Sequence, residues 1–451
     1  MKRGEIIELK IDGLSPDGRG QTVHAGRTMT VRGAVPGDVV RARVASLKRK
    51  SARLMLDTVI EAGIERCDPE CTHFGVCGGC SWQTIPYSEQ CGFKAQLVAD
   101  ALSSVPGLEW HGDIAVEPSP DLFMYRNKME YSFDSPPSAE GRVYLGLHES
   151  GKFDRVFDLD RCHLQSETSN RVVHTLRRFT VEHGLTAFGL KSHVGLLRYL
   201  VIRDGKNTGD LLVNLVTSAE PFPCPDDLVR ALDEEVGGIT TVLHTINRRT
   251  GSVATGDESH FLSGDGVITD VIGENEFAIS PEAFFQTNTH QAVNLYDAIR
   301  GMCGLDGTQR VLDLYCGTGT IGIHCADACG SVTGIEIVED AVADARRNAE
   351  RNGVDNCVFK AGRVEKLVGD EDGAWDVVIT DPPRAGMHPR ALLWLAAVRP
   401  PRVVYVSCNV KIMPRDLETF ALAGYSIKDV RAFDMSPHTP HVETVVQLER
   451  G

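Results

Sequence analysis

Short runs in which apolar and polar residues alternate occupy the first 66 positions of the chain. Ile6–Ile11, Thr28–Val31, Val39–Val44 and Leu54–Ile60 are parted by the turn pairs Asp17-Gly18, Arg32-Gly33 and Pro36-Gly37. Period-two alternation over such lengths predicts half-buried strands, and together they predict a small β-barrel. A cysteine- and glycine-rich loop, Gly75-Val76-Cys77-Gly78-Gly79-Cys80, precedes a helical stretch at roughly Tyr87–Ser104 that stops before Pro106-Gly107. From Tyr125 to about Ile279 the pattern is mostly strand, with Lys128–Phe133, Val143–Leu147, Arg198–Arg203, Leu211–Val216 and Thr240–Asn247. From about Ser280 strands alternate with helices, which predicts a doubly wound parallel sheet. Its strands are Arg310–Leu314, Val332–Ile337, Asp376–Thr380, Arg402–Ser407 and a closing Glu443–Leu448, and a helix over Ala341–Asn352 ends at Gly353. The expected division is a barrel over 1–66, a β-rich central part over 67–279 and a Rossmann-like α/β domain over 280–451. The helical segment at about 88–118 is expected to pack on the last of these.

Composition narrows the class. A chain of 451 residues holds several domains at roughly 100–200 residues each, and 42 % hydrophobic residues exclude a disordered chain. The longest apolar run, Ala391–Val398, is far below the roughly 20 residues of a membrane helix. Met1-Lys2-Arg3-Gly4-Glu5 opens a charged stretch without an apolar signal core, so a cytoplasmic, non-membrane protein is expected; a monomer is expected as well. Thirteen cysteines, an odd count without secretory context, argue against a disulfide framework. The formal charge of −15 argues at first against a nucleic-acid partner. That charge is uneven, because residues 1–66 carry 13 Lys and Arg against 8 Asp and Glu. The run Lys48-Arg49-Lys50 with Arg53 fits either a charged sheet edge or an RNA-facing groove.

Three constellations carry chemistry. Asp313-Leu314-Tyr315-Cys316-Gly317-Thr318-Gly319 sets glycines at the carboxyl end of a strand, where backbone approaches a ligand closely. Glu336, at the end of the next strand, suits ribose hydroxyls. Thr320-Ile321-Gly322 departs from the full dinucleotide fingerprint, so a nucleoside without a pyrophosphate, such as S-adenosylmethionine, fits better than NAD; a purely structural turn remains open. Asp381-Pro382-Pro383-Arg384 makes a rigid loop on the same rim, in which Asp381 either caps a turn or accepts from a cofactor or base. Ser407-Cys408-Asn409 follows the next strand. Cys408 is either a small buried hydrophobe or, with Glu443 at the same edge, half of a nucleophile–base pair.

These motifs, with Pro437-His438-Thr439, His441-Val442-Glu443 and Phe284-Phe285-Gln286-Thr287-Asn288, resemble in order and spacing the RNA 5-methyluridine methyltransferases of bacterial 23S ribosomal RNA or transfer RNA. Gly26–Val44, with Gly33-Ala34-Val35-Pro36-Gly37-Asp38, is similar to that family's N-terminal TRAM barrel. The resemblance implies that Gln286, Tyr315, Glu336 and Asp381 contact S-adenosylmethionine, that Cys408 is the nucleophile adding to uracil C6, and that Glu443 is the general base. Val410 replaces a common proline, Thr320 stands where some members have asparagine, and Pro440 fills a variable slot; none removes a catalytic group.

The cysteine loop takes its expectation from the same resemblance. Cys71, Cys77 and Cys80 with the distant Cys162 resemble the [4Fe–4S] site of a subset of the family, and this subset points to 23S ribosomal RNA. Clustered thiolates also fit zinc, and Cys67 is a substitute ligand or a neighbouring thiol. Arg126, Lys128, Arg198, Arg203, Arg248 and Arg249 are candidate phosphate contacts or ordinary solvated charges. His73, His438 and His441 read as loop structure. The rival functions are an exocyclic-amine methyltransferase, a non-catalytic RNA-binding or assembly factor, and an iron–sulfur redox enzyme.

Overall fold

The first strands form a six-stranded curled sheet in the order Ile6–Lys10, Val39–Leu47, Ser51–Glu61, Arg27–Arg32, Gly20–His24, Gly13–Leu14. The computed structural model describes residues 1–136, 142–368 and 374–451 of the chain. The last two strands are absent from the alternation pattern because one is too short for a period and the other, Gly-Gln-Thr-Val-His, is mostly polar. Alternate side chains, among them Leu9, Met29, Val31, Val40, Ala42, Val44 and Leu54, close on one another inside the curl. The Gly33–Asp38 motif has a physical reason. The fully buried Asp38 carboxylate accepts from the Val35 N–H (2.9 Å) and the Gly63 N–H (2.8 Å) and pairs with Arg66 (2.5 Å). It thereby ties the loop between Arg32 and Val39 to the segment that leaves strand Ser51–Glu61.

The central part is a seven-stranded sheet in the order Val156–Asp158, Tyr144–His148, Lys128–Asp134, Leu197–Asp204, Leu211–Thr217, Thr241–Ile246, Glu258–Ser263. Two helices that the strand-dominated reading passes over, Glu167–Glu182 and Pro225–Glu235, cover one face. Their signals lie in the sequence. Ser166 caps the first through the Ser169 N–H (3.0 Å), Val172, Val173, Leu176 and Phe179 lie on one helical stripe, and Pro225 opens the second.

The largest sheet has eight strands: Cys357–Ala361, Ser331–Glu336, Arg310–Leu314, Val377–Thr380, Arg402–Ser407, Glu443–Arg450, Tyr425–Phe433 and Val116–Glu117. The first five are mutually parallel, and Glu443–Arg450 inserts antiparallel between two of the others. Alternation divides the central strands between two cores. Leu312, Leu314, Val403 and Tyr405 face helices Tyr87–Ser103, Pro389–Val398 and Met413–Leu422. Val311, Val404 and Val406 face helices Thr289–Cys303, Thr320–Cys325 and Glu339–Arg351. The long apolar run at Ala391–Val398 is therefore a helix packed on the sheet, and among the described residues no helix is long and apolar enough to cross a membrane. A sheet covered by helices on both faces leaves the carboxyl rim of its parallel strands as the place for a ligand.

Candidate active site

All but one of the residues expected at the site sit at or just beyond a strand end. Tyr315 follows Leu314, Glu336 ends its strand, Asp381 follows Thr380, and Cys408 follows Ser407. Because Glu443 begins an antiparallel strand, it reaches the same rim from the opposite chain direction. Ser407 pairs with Thr444, so continuing the register by one residue sets Cys408 opposite Glu443. Gln286 is the outlier. It stands on the loop between Ile279 and helix Thr289–Cys303, and this loop is fastened to the central sheet. The Asn127 side chain donates to the Gln286 carbonyl (2.7 Å) and to Thr289 (2.9 Å), and the buried Arg203 donates to the Pro281 carbonyl (3.0 Å) and the Ala283 carbonyl.

The glycine turn is shaped by close approach. Gly319 has φ +77°, and a Cβ there would lie 2.8 Å from the Phe359 ring. A Cβ on Gly317 would meet open space, on the side where the Glu336 carboxylate accepts the Gly317 N–H (3.2 Å) and the Val338 N–H (2.9 Å). Tyr315, also at positive φ, turns its hydroxyl outward to accept from the His388 N–H (3.2 Å).

Three buried carboxyl groups, Asp313, Asp381 and Glu443, crowd this rim, and burial dominates their chemistry. Asp313 is fully buried beneath the helix after the turn, and its carboxyl is pushed up to about 8 by burial and by Asp381. Burial raises Asp381 to about 7. Glu443 is held well above the usual carboxylate range by burial and by Asp381, partly offset by Arg384, and its Oε1 is buried without a partner. The Cys408 thiol is pushed up to about 12 by burial, then by Glu443 and Asp381, with Arg384 pulling the other way. Arg384, which motif reading treats only as the end of a proline turn, is thus part of the electrostatics. Its carbonyl is held by the Asn409 side chain (2.8 Å).

A cavity of about 180 Å³ opens at Cys408, lined also by Arg384, Lys411 and His441 and, from the N-terminal sheet, by Pro16 and Asp17. The barrel loop is fitted to the catalytic loop. The Trp82 indole donates to the Gly18 carbonyl (3.3 Å), and a Cβ on Gly18 would fall 2.1 Å from Pro440. The segment leading to Glu443 is fixed from beneath by a fully buried ion pair, Lys94–Asp434 (2.5 Å), with Lys94 also donating to the Ser436 carbonyl (3.2 Å). His438 is a loop-fixing residue. Gln90 accepts its N–H (2.9 Å) and donates to Nδ1 (3.3 Å), its ring stacks on Phe123, and burial lowers it to about 4, so it stays neutral.

The cysteine loop is corrected by the structure. Among the described residues no group of three or more His, Cys, Asp or Glu side chains is arranged to hold a metal ion, so neither a [4Fe–4S] cluster nor zinc on Cys71, Cys77, Cys80 and Cys162 is supported. Burial favours the neutral thiol. It raises Cys77, lifts Cys80 to about 11 and Cys162 to about 12. The Cys77 sulfur accepts the Gly79 N–H (3.3 Å), and the Cys67 thiol donates to the Gln83 carbonyl (3.3 Å). Backbone bonds fasten the loop instead, from Gly78 N–H to the His148 carbonyl (3.1 Å) and from Ser150 N–H to the Val76 carbonyl (2.8 Å). Two of the candidate phosphate contacts are corrected as well. Arg198 and Arg203 are buried and spend their donors on the Asn247 carbonyl (3.0 Å) and the Pro281 carbonyl (3.0 Å). Lys128, Arg248 and Arg249 are paired with Glu130, Glu258 and Asp257.

A parallel sheet with a glycine turn, an acidic residue after the second strand and a reactive rim defines a methyltransferase domain, and residues 305–411 match the methyltransferase-domain family. The whole chain aligns at 38 % identity with an uncharacterized RNA methyltransferase of Chlorobaculum tepidum, covering 97 % of it. A second uncharacterized RNA methyltransferase, from Caldanaerobacter subterraneus, is also 38 % identical over 100 % of both chains. Among solved structures, the Pyrococcus abyssi tRNA (uracil-54, C5)-methyltransferase in complex with S-adenosyl-L-homocysteine superposes with a TM-score of 0.79. It is 30 % identical, covering 98 % of this chain and 100 % of that one. The chain belongs to the RNA methyltransferase family.

Proposed function

We propose that this protein transfers a methyl group from S-adenosylmethionine to C5 of a uridine in structured RNA, with Cys408 as nucleophile and Glu443 as base. The observation that carries the reading is the register that sets Cys408 opposite Glu443, at the mouth of a cavity with room for one pyrimidine ring. The preference for 23S ribosomal RNA rested on the iron–sulfur subset and falls with it. Ribosomal and transfer RNA stand equally as substrates.

The residues fit the cofactor. Glu336 presents a carboxylate that accepts the Gly317 N–H and suits ribose hydroxyls, Tyr315 lies in the same turn, Asp381 is bonded to the strand before it, and Gln286 is assigned to the cofactor by the family resemblance. When bound, S-adenosylmethionine supplies an electrophilic methyl group. The rest is done by this chain. Uracil C5 is a weak nucleophile, so the Cys408 thiolate adds to C6, and the electron pair displaced from the C5–C6 double bond makes C5 the attacking carbon. After C5 gains its methyl, Glu443 removes the C5 proton. The electrons of that C–H bond restore the double bond as sulfur leaves C6. A thiol pushed up to about 12 must be deprotonated before attack, and the Arg384 guanidinium is the neighbour that favours the thiolate. A stacked base cannot enter this cleft, so the uridine must turn out of its stack.

The test supplies labelled S-adenosylmethionine with ribosomal and transfer RNA fractions from a strain lacking the protein, and maps the label by mass spectrometry. Label on uracil C5 of one nucleotide is expected. Label on an exocyclic amine, or none in either fraction, overturns the reading.

A further inference from the structure

Outside the catalytic rim, a cavity of about 490 Å³ lies in the central sheet, on the face opposite helices Glu167–Glu182 and Pro225–Glu235. Its floor is the cross-strand pair Ser132 and Tyr199, and one wall is the loop carrying Phe188. The volume lies within the ordinary range of small-ligand sites.

The lining has a consistent chemistry. The Arg198 guanidinium, held by the carbonyls of the 247–251 loop, lies 4.5 Å from the centre of the Phe188 ring, which makes a fixed flat surface rather than a mobile side chain. The Tyr199 hydroxyl meets Ser252 (3.0 Å). Ser132 meets His148 Nε2 (3.1 Å), and His148 Nδ1 is buried with no partner. Asp154 lines the cavity as an acceptor and is paired with Lys191 (2.8 Å), whose side chain is 83 % exposed. Within two residues of lining positions in the chain, Phe153, Val194 and Val253 are exposed apolar residues and Lys152 and Arg155 exposed cations, beside the exposed lining residue Lys191.

Aromatic surface interleaved with cations is the pattern that receives an unpaired nucleotide, with the base on a ring and the phosphate on the rim. We infer that this cavity is a second nucleotide site, which holds one unpaired base of the RNA substrate against Phe188 while another base is methylated at Cys408. The assigned contacts are stacking on Phe188, acceptance of a base N–H by Asp154, and phosphate contact by Lys191 once it leaves Asp154. The inference rests on the RNA-methylating reading above.

The test measures the affinity of the full-length protein for a short fluorescent single-stranded RNA of mixed sequence, and separately the KM and kcat for methylation of RNA from the deletion strain. Phe188→Ala is expected to weaken the short RNA about tenfold or more. It should raise KM for the natural RNA and leave kcat and S-adenosyl-L-homocysteine binding unchanged. Phe188→Trp is expected to restore affinity, and Ser192→Trp, from an exposed position on the same loop, to block the cavity and weaken binding like Phe188→Ala. Unchanged RNA affinity in both Phe188→Ala and Ser192→Trp overturns the site, as does a loss confined to kcat. A protein that binds RNA through Phe188 yet methylates none sustains this site while overturning the catalytic reading.

Discussion

At the scale of single residues, burial sets the chemistry of the rim more than any one contact. Cys408 and Glu443 are both held toward their protonated forms, and the proposed reaction needs both deprotonated. Methylation is therefore expected to accelerate with rising pH through the neutral range. Arg384→Gln, which removes the cation favouring the thiolate, should slow the reaction at pH 7 and shift the pH–rate profile upward; an unmoved profile would exclude that role. Glu443→Gln should still form the adduct on RNA but release it slowly, so covalent complex accumulates on denaturing gels. Loss of adduct in Glu443→Gln would assign Glu443 to an earlier step. The buried carboxyls also affect folding. Asp313 at about 8 and Asp381 at about 7 bind protons more tightly folded than unfolded. Their contribution to stability is full below the ordinary carboxylate range and is lost as pH rises through 7 to 8. Thermal melts between about pH 4 and 8 should register this loss, and Asp313→Asn should flatten it.

Among the elements, the segment that delivers Glu443 depends on a helix from far away in the chain. Lys94, on Tyr87–Ser103, is buried with Asp434, so Lys94→Met strands a buried carboxylate and is expected to cost about 3–5 kcal/mol in denaturant unfolding. Adding Asp434→Asn should recover part of that loss; no recovery would mean that Lys94 acts through packing alone. Neither partner is conspicuous in the sequence, because a lysine in an amphipathic helix ordinarily reads as solvated. The same limit explains Arg198 and Arg203, whose burial depends on strands paired across long separations. The parallel strands, the glycine turn and the rim positions of Asp381 and Cys408 were legible, since each is marked locally by an apolar run ending in glycine, proline or a polar triplet. The helices Glu167–Glu182 and Pro225–Glu235 were equally marked by caps and stripes, yet the surrounding strand pattern overrode them. The cysteine spacing was legible as a pattern but not as a site, because spacing along the chain does not report whether side chains converge in a metal-holding geometry.

Across the whole molecule, three sheets meet around one rim. The N-terminal sheet contributes Pro16 and Asp17 to the cleft of Cys408, and the central sheet holds the Gln286 loop through Asn127 and Arg203. A net charge of −15 is compatible with this, because RNA contact requires only a local basic face, and Lys48, Arg49, Lys50 and Arg53 are all exposed on the N-terminal sheet. The central claim is that methylation proceeds through a bond between Cys408 sulfur and uracil C6. The most direct measurement incubates the protein and S-adenosylmethionine with RNA of the mapped sequence carrying 5-fluorouridine at the target, since fluorine at C5 cannot be removed as a proton. A covalent complex that survives denaturation, maps by mass spectrometry to Cys408 and vanishes in Cys408→Ala is predicted. Undiminished methylation by Cys408→Ala, or an adduct on another residue, would contradict the account.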